Sequence, residues 1–450
     1  MYTNLQSKKW RGSVITASLT ALLLLFSVFS PILAHAEQPM ISNGKMQTKK
    51  NIFNVVVLGD SLAAGYQKGF DATSVPYGFS DIVYEQAMFQ GNHASYTNYG
   101  VLGLRSSGLL NWLTAAEKQQ FITANGVQQG LKDPRVDTLI GDTNALYESV
   151  SSADLIVLAI GGNDFLNILA GLDLTKSVSS MGADEKNALL AQLQTSTDEY
   201  KKNLTAILTI IQKLNSDVVI ASQNQYIPLP KVTFNGVESY VQVSPDLVEL
   251  LVSAQTNLNK EFDSVVKDFK KSGLNIDYID AAAVIDNNAL GLTDIASLDV
   301  HPNATGYQKL GEAYSTLLWG EFKTAAAKKA GDSLSVVVNG KDVVSNYPTK
   351  VIKGCTYLVL RDITNAVGAD LSWSNKTETA TVKLNDRTVE LKVGSNSYIV
   401  NGQSYPLDAP VFLETIGKES KTYVPIAALS SGLDLFVQYW AKQKLVFVNN

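Results

Sequence analysis

The groups in this chain that could do covalent chemistry are a serine directly after an apolar run, and a histidine with a neighbouring acidic residue ahead of the last helical pattern. Ser61 stands in Gly59-Asp60-Ser61-Leu62, directly after Val55-Val56-Val57-Leu58. A free hydroxyl is a weak nucleophile and needs a base. By itself Ser61 reads equally as a nucleophile or as the cap of a helix begun by Ala63 and Ala64, whose positive end would lie near the hydroxyl. After residue 36 the chain holds only two histidines, His93 and His301. His93, in Gln90-Gly91-Asn92-His93-Ala94, reads as a surface-turn residue. His301, in Asp299-Val300-His301-Pro302-Asn303, lies between a strand pattern and a helix pattern, and scarcity and position make it the candidate base. An acyl-transfer site also needs donors aimed where negative charge develops. Asn98-Tyr99-Gly100-Val101-Leu102-Gly103 and Gly161-Gly162-Asn163-Asp164 could supply a close backbone N–H and a side-chain amide. Each reads equally well as a glycine turn between strand and helix.

Positioning these groups falls to a β/α rhythm. Residues 54–58, 154–160, 217–221 and 274–279 are short apolar runs of buried-strand type, the first two bounded by glycines. Helical periodicity lies between them, clearest over 186–214, and a closing helix is expected over 304–329. Apolar strands alternating with helices predict a parallel sheet covered on both faces. Functional groups in such folds gather beyond the carboxyl ends of the strands, where these segments lie.

In this order the four segments resemble the four blocks of the SGNH/GDSL hydrolase family. The resemblance covers roughly residues 53–325 and rests on Gly59-Asp60-Ser61-Leu62, Gly103, Asn163, and His301-Pro302-Asn303 with Gly306-Tyr307. It implies a three-layer, flavodoxin-like α/β domain over 53–331. It also implies Ser61 as nucleophile, His301 as base, and an oxyanion hole from the Ser61 and Gly103 amides and the Asn163 side chain. One departure stands out. The family places its acid three residues before the histidine, where this chain has Leu298; Asp299 lies two before and Asp294 seven before. Asp299 is the choice to orient His301, with Asp294 or a backbone carbonyl as alternatives. No Gly-x-Ser-x-Gly elbow surrounds Ser61, which argues against an ordinary α/β-hydrolase.

From Leu334 the texture changes to alternating strands, Asn-Gly turns and short helices. Residues 334–450 hold an internal repeat with a period of about 62–66 residues. Residues 336–340 match 398–402, 355–359 match 421–425, and 366–371 match 430–435. This part resembles the copper amine oxidase N-terminal-like domain, which implies a mixed β/α repeat domain acting as a spacer or wall-binding stalk. With no His and a single Cys it lacks a ligand set for copper or zinc, and no metal or cofactor is expected anywhere in the chain. Trp373, Tyr439 and Trp440 read as core packing, with a carbohydrate platform as the alternative. Cys355, the sole cysteine, reads as a small buried residue without a disulfide partner.

Residues 1–36 read as a signal peptide. Lys8, Lys9 and Arg11 precede an apolar run over 14–33, and Ala34-His35-Ala36 offers a cleavage site. The alternative is an uncleaved anchor. A polar linker is expected over 37–52. Of 450 residues, 45 % are hydrophobic and the net charge is −5, with no basic block, so nothing points to nucleic acid. The expected function is a secreted esterase or lipase acting on a small-molecule or lipid ester. A polysaccharide O-acetyl esterase and a surface binder with an inactive hydrolase fold are the alternatives. Residues 165–184 and Tyr226-Ile227-Pro228-Leu229-Pro230 are expected to form walls or a lid over the substrate.

Overall fold

The computed structural model describes residues 52–169, 171–234, 237–241 and 243–450. The expected signal peptide lies outside the described residues, as does all but the last residue of the expected linker.

Five strands form one parallel sheet. They are β1 (Phe53–Gly59), β2 (Ala94–Gly100), β3 (Leu155–Ala159) and β4 (Val219–Gln223), followed, after an antiparallel hairpin of β5 (Lys231–Phe234) and β6 (Val237–Tyr240), by β7 (Ile276–Ile279). The order is β2-β1-β3-β4-β7 and every pairing is parallel. Side chains alternate across a strand, and here both faces are buried. Val56, Leu58, Ile156, Leu158 and Ile220 enter one core, and Val55, Val57, Leu155, Val157 and Ala221 the other.

The helices are α1 (Phe79–Phe89), α2 (Ser106–Glu117), α3 (Ala124–Val127), α4 (Val136–Ile140), α5 (Thr143–Ser152), α6 (Gly162–Leu169), α7 (Ala183–Leu214), α8 (Pro245–Lys271), α9 (Ala281–Ile285), α10 (Ala289–Leu292) and α11 (Ala304–Trp319). The first core is covered by α2, α5, α7 and α8, the second by α1 and α11. In α7, Leu193, Tyr200, Leu204, Ile207 and Ile211 recur on the buried face. This is the three-layer, doubly wound arrangement of flavodoxin type.

Four expectations need correction here. Edge strand β2 (Ala-Ser-Tyr-Thr-Asn-Tyr-Gly) is too polar to register as an apolar run, because Ser95 and the half-buried Asn98 are satisfied by hydrogen bonds to Asn54 Oδ1 and Ala63 O. Ala63 and Ala64 start no helix: the chain makes a single tight turn, with Ala64 N donating to Asp60 O (3.0 Å) and Tyr66 N to Ser61 O (2.9 Å), so Ser61 caps nothing. The closing helix stops at Trp319, since Gly320 takes a left-handed φ of 73°. Beyond it Lys323 is bound through both backbone groups to the Gln86 side chain (2.8 and 2.7 Å), which holds the segment extended along α1. His93 lies just past the turn at Gln90-Gly91, leading into β2, and its ring stacks on Phe436 (5.1 Å) while its Nε2 meets Asn450 O at 2.8 Å.

The C-terminal part is β-rich and built from the two repeat copies. Strand Cys355–Val359, helix Leu360–Val367 and strand Asp370–Ser374 correspond to residues 421–425 of strand Glu419–Pro425, helix Ile426–Leu433 and strand Phe436–Trp440. These run at one offset of 66 residues. The helix ends therefore pair Gly368 with Asp434, both left-handed, and the expected pairing of 366–371 with 430–435 is two residues out of step. Cys355 is half-buried at a strand start rather than buried. The aromatics divide: Trp440 packs in the core, while Trp373 and Tyr439, equivalent in the two copies, are exposed.

This part is docked on the hydrolase-like layer instead of standing off it. Phe447 meets Phe89 edge-on at 4.9 Å, and Trp440 meets Tyr84 at 5.3 Å. The Asn449 amide, fully buried, donates to Met88 O (3.1 Å) and Asn92 O (2.8 Å). Val337, Leu445 and Phe447 share one hydrophobic core with Val55, Phe79 and Met88.

Candidate active site

Strand ends deliver the candidate groups to one edge of the sheet. β1 closes on Gly59 and turns at once into Asp60-Ser61. A Cβ at Gly59 would fall 1.9 Å from Ala159 O, and one at Gly100 would fall 2.3 Å from Ala64 N. The Ser61 turn thus lies directly against the ends of β2 and β3, an approach open only to glycine. Asp60 Oδ1 accepts from Leu62 N at 2.9 Å and stiffens the turn. Burial pushes the Asp60 carboxyl up to about 7 against that hydrogen bond, and the nearby Asp164 charge adds to the rise.

Ser61 and His301, 240 residues apart, meet with Oγ and Nε2 at 2.8 Å. On the other side of the imidazole, Nδ1 lies 2.5 Å from Asp299 Oδ1. The same oxygen accepts from the His301 backbone N at 3.1 Å, so residues 299–301 form an Asx-turn. Burial raises the Asp299 carboxyl, but its hydrogen bonds and charge attraction with His301, aided by Lys68, hold it below the usual carboxylate range. Asp294 approaches only through backbone: its N donates to His301 O at 3.0 Å, closing the loop from behind.

Of the candidate oxyanion donors, Asn163 stands at the start of α6 and lines the same cleft as Ser61 and His301. Its amide donates once to Leu104 O at 3.0 Å. The following Asp164 anchors this turn to α2 through the Ser106 backbone N (2.9 Å) and Oγ (2.5 Å). Burial pushes the Asp164 carboxyl up in spite of the Ser106 hydrogen bonds. Gly103 lies in the loop after β2 with φ 78°, its carbonyl held by Gln128 Nε2 at 2.9 Å. It is exposed and is not among the residues lining the cleft.

The cleft has a volume of about 570 Å³ counted to its open mouth. Phe165 and Leu166 from α6, Ile227 and Pro228 after β4, and Leu258 from α8 give it apolar walls. These include parts of both segments expected to wall the substrate.

Two tyrosines touch the Asp299–His301 loop in ways the sequence reading does not anticipate, Tyr226 being expected only as part of a substrate wall. The Tyr66 ring lies against the His301 ring, centroids 4.3 Å apart. The Tyr226 hydroxyl donates to Val300 O at 3.0 Å. Tyr66 follows the turn after β1 and Tyr226 follows β4, both far in sequence from His301, so no spacing rule links them to the loop they touch.

The model of the GDSL-like lipase/acylhydrolase family matches residues 55–314, and that of the copper amine oxidase N-terminal domain matches residues 337–448. No curated protein matches the chain. Among solved structures, a lipase from a goat rumen metagenome is 18 % identical with a TM-score of 0.39, covering 60 % of this chain and 100 % of that one. An extracellular lipase from Streptomyces rimosus is 16 % identical with a TM-score of 0.37, covering 60 % and 99 %. A family 3 carbohydrate esterase from Clostridium thermocellum is 13 % identical with a TM-score of 0.31, covering 59 % and 96 %. With its family model matched over more than half its length, the chain belongs to the GDSL-like lipase/acylhydrolases and is a carboxylic-ester hydrolase.

Proposed function

We propose that this hydrolase is an exported serine esterase that cleaves esters of apolar acyl groups through an acyl-enzyme on Ser61. One observation carries the reading: the Ser61–His301–Asp299 hydrogen-bond chain opens directly onto an apolar cleft. His301 Nε2 takes the Ser61 proton as Oγ bonds to the ester carbonyl carbon. The carbonyl oxygen becomes an oxyanion facing the Ser61 amide and the second N–H of the Asn163 amide, the two expected donors that line the cleft; Gly103, outside it, is left out of this reading. Collapse breaks the bond to the alcohol oxygen, which leaves with the proton held on His301. Water repeats the sequence on the acyl-enzyme, releasing the acid and restoring Ser61. Asp299 keeps Nδ1–H in place and offsets the imidazolium charge.

Acylglycerols, lysophospholipids and small lipid-like esters fit walls of Phe165, Leu166, Ile227, Pro228 and Leu258, because each buried methylene of the acyl chain gains about 0.8 kcal/mol. An acetyl group would leave most of that surface unused. The test is a p-nitrophenyl ester series from acetate to long acyl chains, run beside acetylated xylan and with a fluorophosphonate serine probe. Higher kcat/KM for longer acyl groups, with labelling abolished in Ser61→Ala, is expected. A maximum at acetate with release from xylan would make it a polysaccharide deacetylase. Failure of the folded protein to label would make it a binder. Export rests on the basic, then apolar, then Ala-x-Ala pattern of residues 1–36. The mature protein should begin at Glu37, and an intact N-terminus on protein recovered from the medium would overturn this part. Cell-wall contact through the C-terminal domain is checked by co-sedimentation with peptidoglycan.

A further inference from the structure

His301 must present Nε2 to Ser61 and Nδ1 to Asp299 at the same time, so its ring has one productive orientation. The loop that carries it is closed at its base but exposed at its turn. Leu298 is 56 % exposed and sits at a left-handed φ of 62°. Asp299 Oδ1 spends both its contacts on His301 itself. The loop backbone is closed at the base by Ser297 N to Asp294 O (2.8 Å), Leu298 N to Ile295 O (2.9 Å) and Asp294 N to His301 O (3.0 Å), which leaves the Val300 carbonyl and the imidazole itself to be held from outside the loop.

Two tyrosines from other strand ends reach this loop. Tyr66 follows the nucleophile turn, and its ring leans on the imidazole at an interplanar angle of 50°. Its own backbone is fixed on both sides, N donating to Ser61 O (2.9 Å) and O accepting from the Tyr307 hydroxyl (2.7 Å). Tyr226 follows β4, and its hydroxyl holds the carbonyl of Val300, the residue between acid and base. One tyrosine therefore bounds the ring while the other bounds the backbone that carries it.

We propose that Tyr66 and Tyr226 act together as positioning residues that clamp the short Asp299–His301 loop in its productive orientation. This rests on the reading of Ser61 and His301 as nucleophile and base. Burial pushes both phenols up, Asp299 and Asp294 adding to Tyr66, and Asp60, Asp286 and Asp299 to Tyr226, so both hydroxyls stay neutral and the Tyr226 hydroxyl keeps its proton for Val300. Orientation is worth much in such a site, since a displacement of about 1 Å can cost about 10²-fold in rate.

The test compares the full-length wild type with Tyr226→Phe, Tyr66→Ala, Tyr66→Phe and the double Tyr66→Phe/Tyr226→Phe. Each is read by kcat and KM on one p-nitrophenyl ester, by the rate of fluorophosphonate labelling, and by melting temperature. Tyr226→Phe keeps the ring and loses only the hydroxyl on Val300, so kcat should fall about tenfold with KM within about twofold. Tyr66→Ala should lower kcat about 10–100-fold, and Tyr66→Phe should restore it to within about twofold. The double phenylalanine variant should match Tyr226→Phe alone. Labelling rate should fall in step with kcat, because phosphonylation needs the same proton transfer. If Tyr226→Phe and Tyr66→Ala keep kcat within about twofold of an active wild type, the clamp is wrong and the functional reading stands. If the loss lies in KM alone, or Tyr66→Phe fails to rescue, the clamp is also wrong. A wild type that neither labels nor hydrolyses any ester removes the functional reading, and the clamp with it.

Discussion

Replacing Phe447 by Ala should inactivate the ester hydrolase at a lower temperature, although Phe447 lies at the far end of the C-terminal domain sequence. The ring is fully buried and meets Phe89 of α1 at 4.9 Å. It shares a core with Val55 and Val57 of β1 and with Phe79 and Met88 of α1. Truncating a buried Phe costs about 3–5 kcal/mol. At about 2–4 °C per kcal/mol for a unit of this size, the midpoint should fall by about 6–20 °C. The link to the site is direct, because the N-terminal turn of α1 buttresses the Ser61 turn: Ser80 Oγ donates to Ala63 O at 2.9 Å. The assay pairs residual hydrolysis after heating with a circular dichroism melt of the same samples. One transition, shifted together with the loss of activity, is expected. If inactivation stays at the wild-type temperature while a separate transition appears at lower temperature, the C-terminal domain is an independent stalk and the shared core contributes nothing to the catalytic layer.

Asp299→Asn should lower kcat by about 10⁴-fold with KM nearly unchanged, since a neutral amide no longer offsets the imidazolium. Asp294→Asn, altering a side chain that does not reach His301, should stay near wild type in the same steady-state assay; the reverse ranking would reassign the acid. Asn163→Ala should lower kcat by about 10²–10³-fold with little change in melting temperature, and turnover near wild type would remove Asn163 from the oxyanion hole. Stability should fall as pH rises from about 4 to about 7. Burial pushes Asp60, Asp81, Glu85 and Asp286 each up to about 7, so over that window the unfolded chain sheds protons that the folded chain keeps. A melting temperature at about pH 8 equal to or above that at about pH 5 would contradict this.

What could be read from the sequence depended on how local its cause is. The buried strands declare themselves because both faces are covered, leaving continuous apolar runs such as Leu155-Ile156-Val157-Leu158. β2 stays hidden because its polar side chains are placed by hydrogen bonds instead of apolar packing: Ser95 Oγ donates to Asn54 Oδ1 (2.7 Å) and the half-buried Asn98 amide to Ala63 O (2.9 Å). The Ala- and Lys-rich stretch after Gly320 has helical propensity, yet the buried Gln86 side chain binds Lys323 on both backbone groups and tertiary structure wins. The repeat slipped by two because Gly368 and Gly432 look equivalent, while the second copy ends its helix on Asp434. His93 and Tyr226 act on partners that no spacing rule connects to them.

The offset of the acid from His301 shows why a motif and its chemistry can separate. The chemistry asks only for a carboxylate oxygen at Nδ1; it does not specify a count of residues. With the acid two positions before the histidine, the carboxylate reaches His301 N as well, and the Asx-turn fixes it relative to the ring it must serve. The shorter loop still has to reverse direction, and Leu298 absorbs that in a left-handed conformation costing about 1–2 kcal/mol for a residue with a Cβ. A loop that stores strain at one end and holds the base at the other gains from external restraint, which the Tyr226 hydroxyl on Val300 and the Tyr66 ring on His301 supply. The Asx-turn thus aligns the Asp299 carboxylate with the His301 ring, and in the proposed clamp the two tyrosines keep that ring facing Ser61.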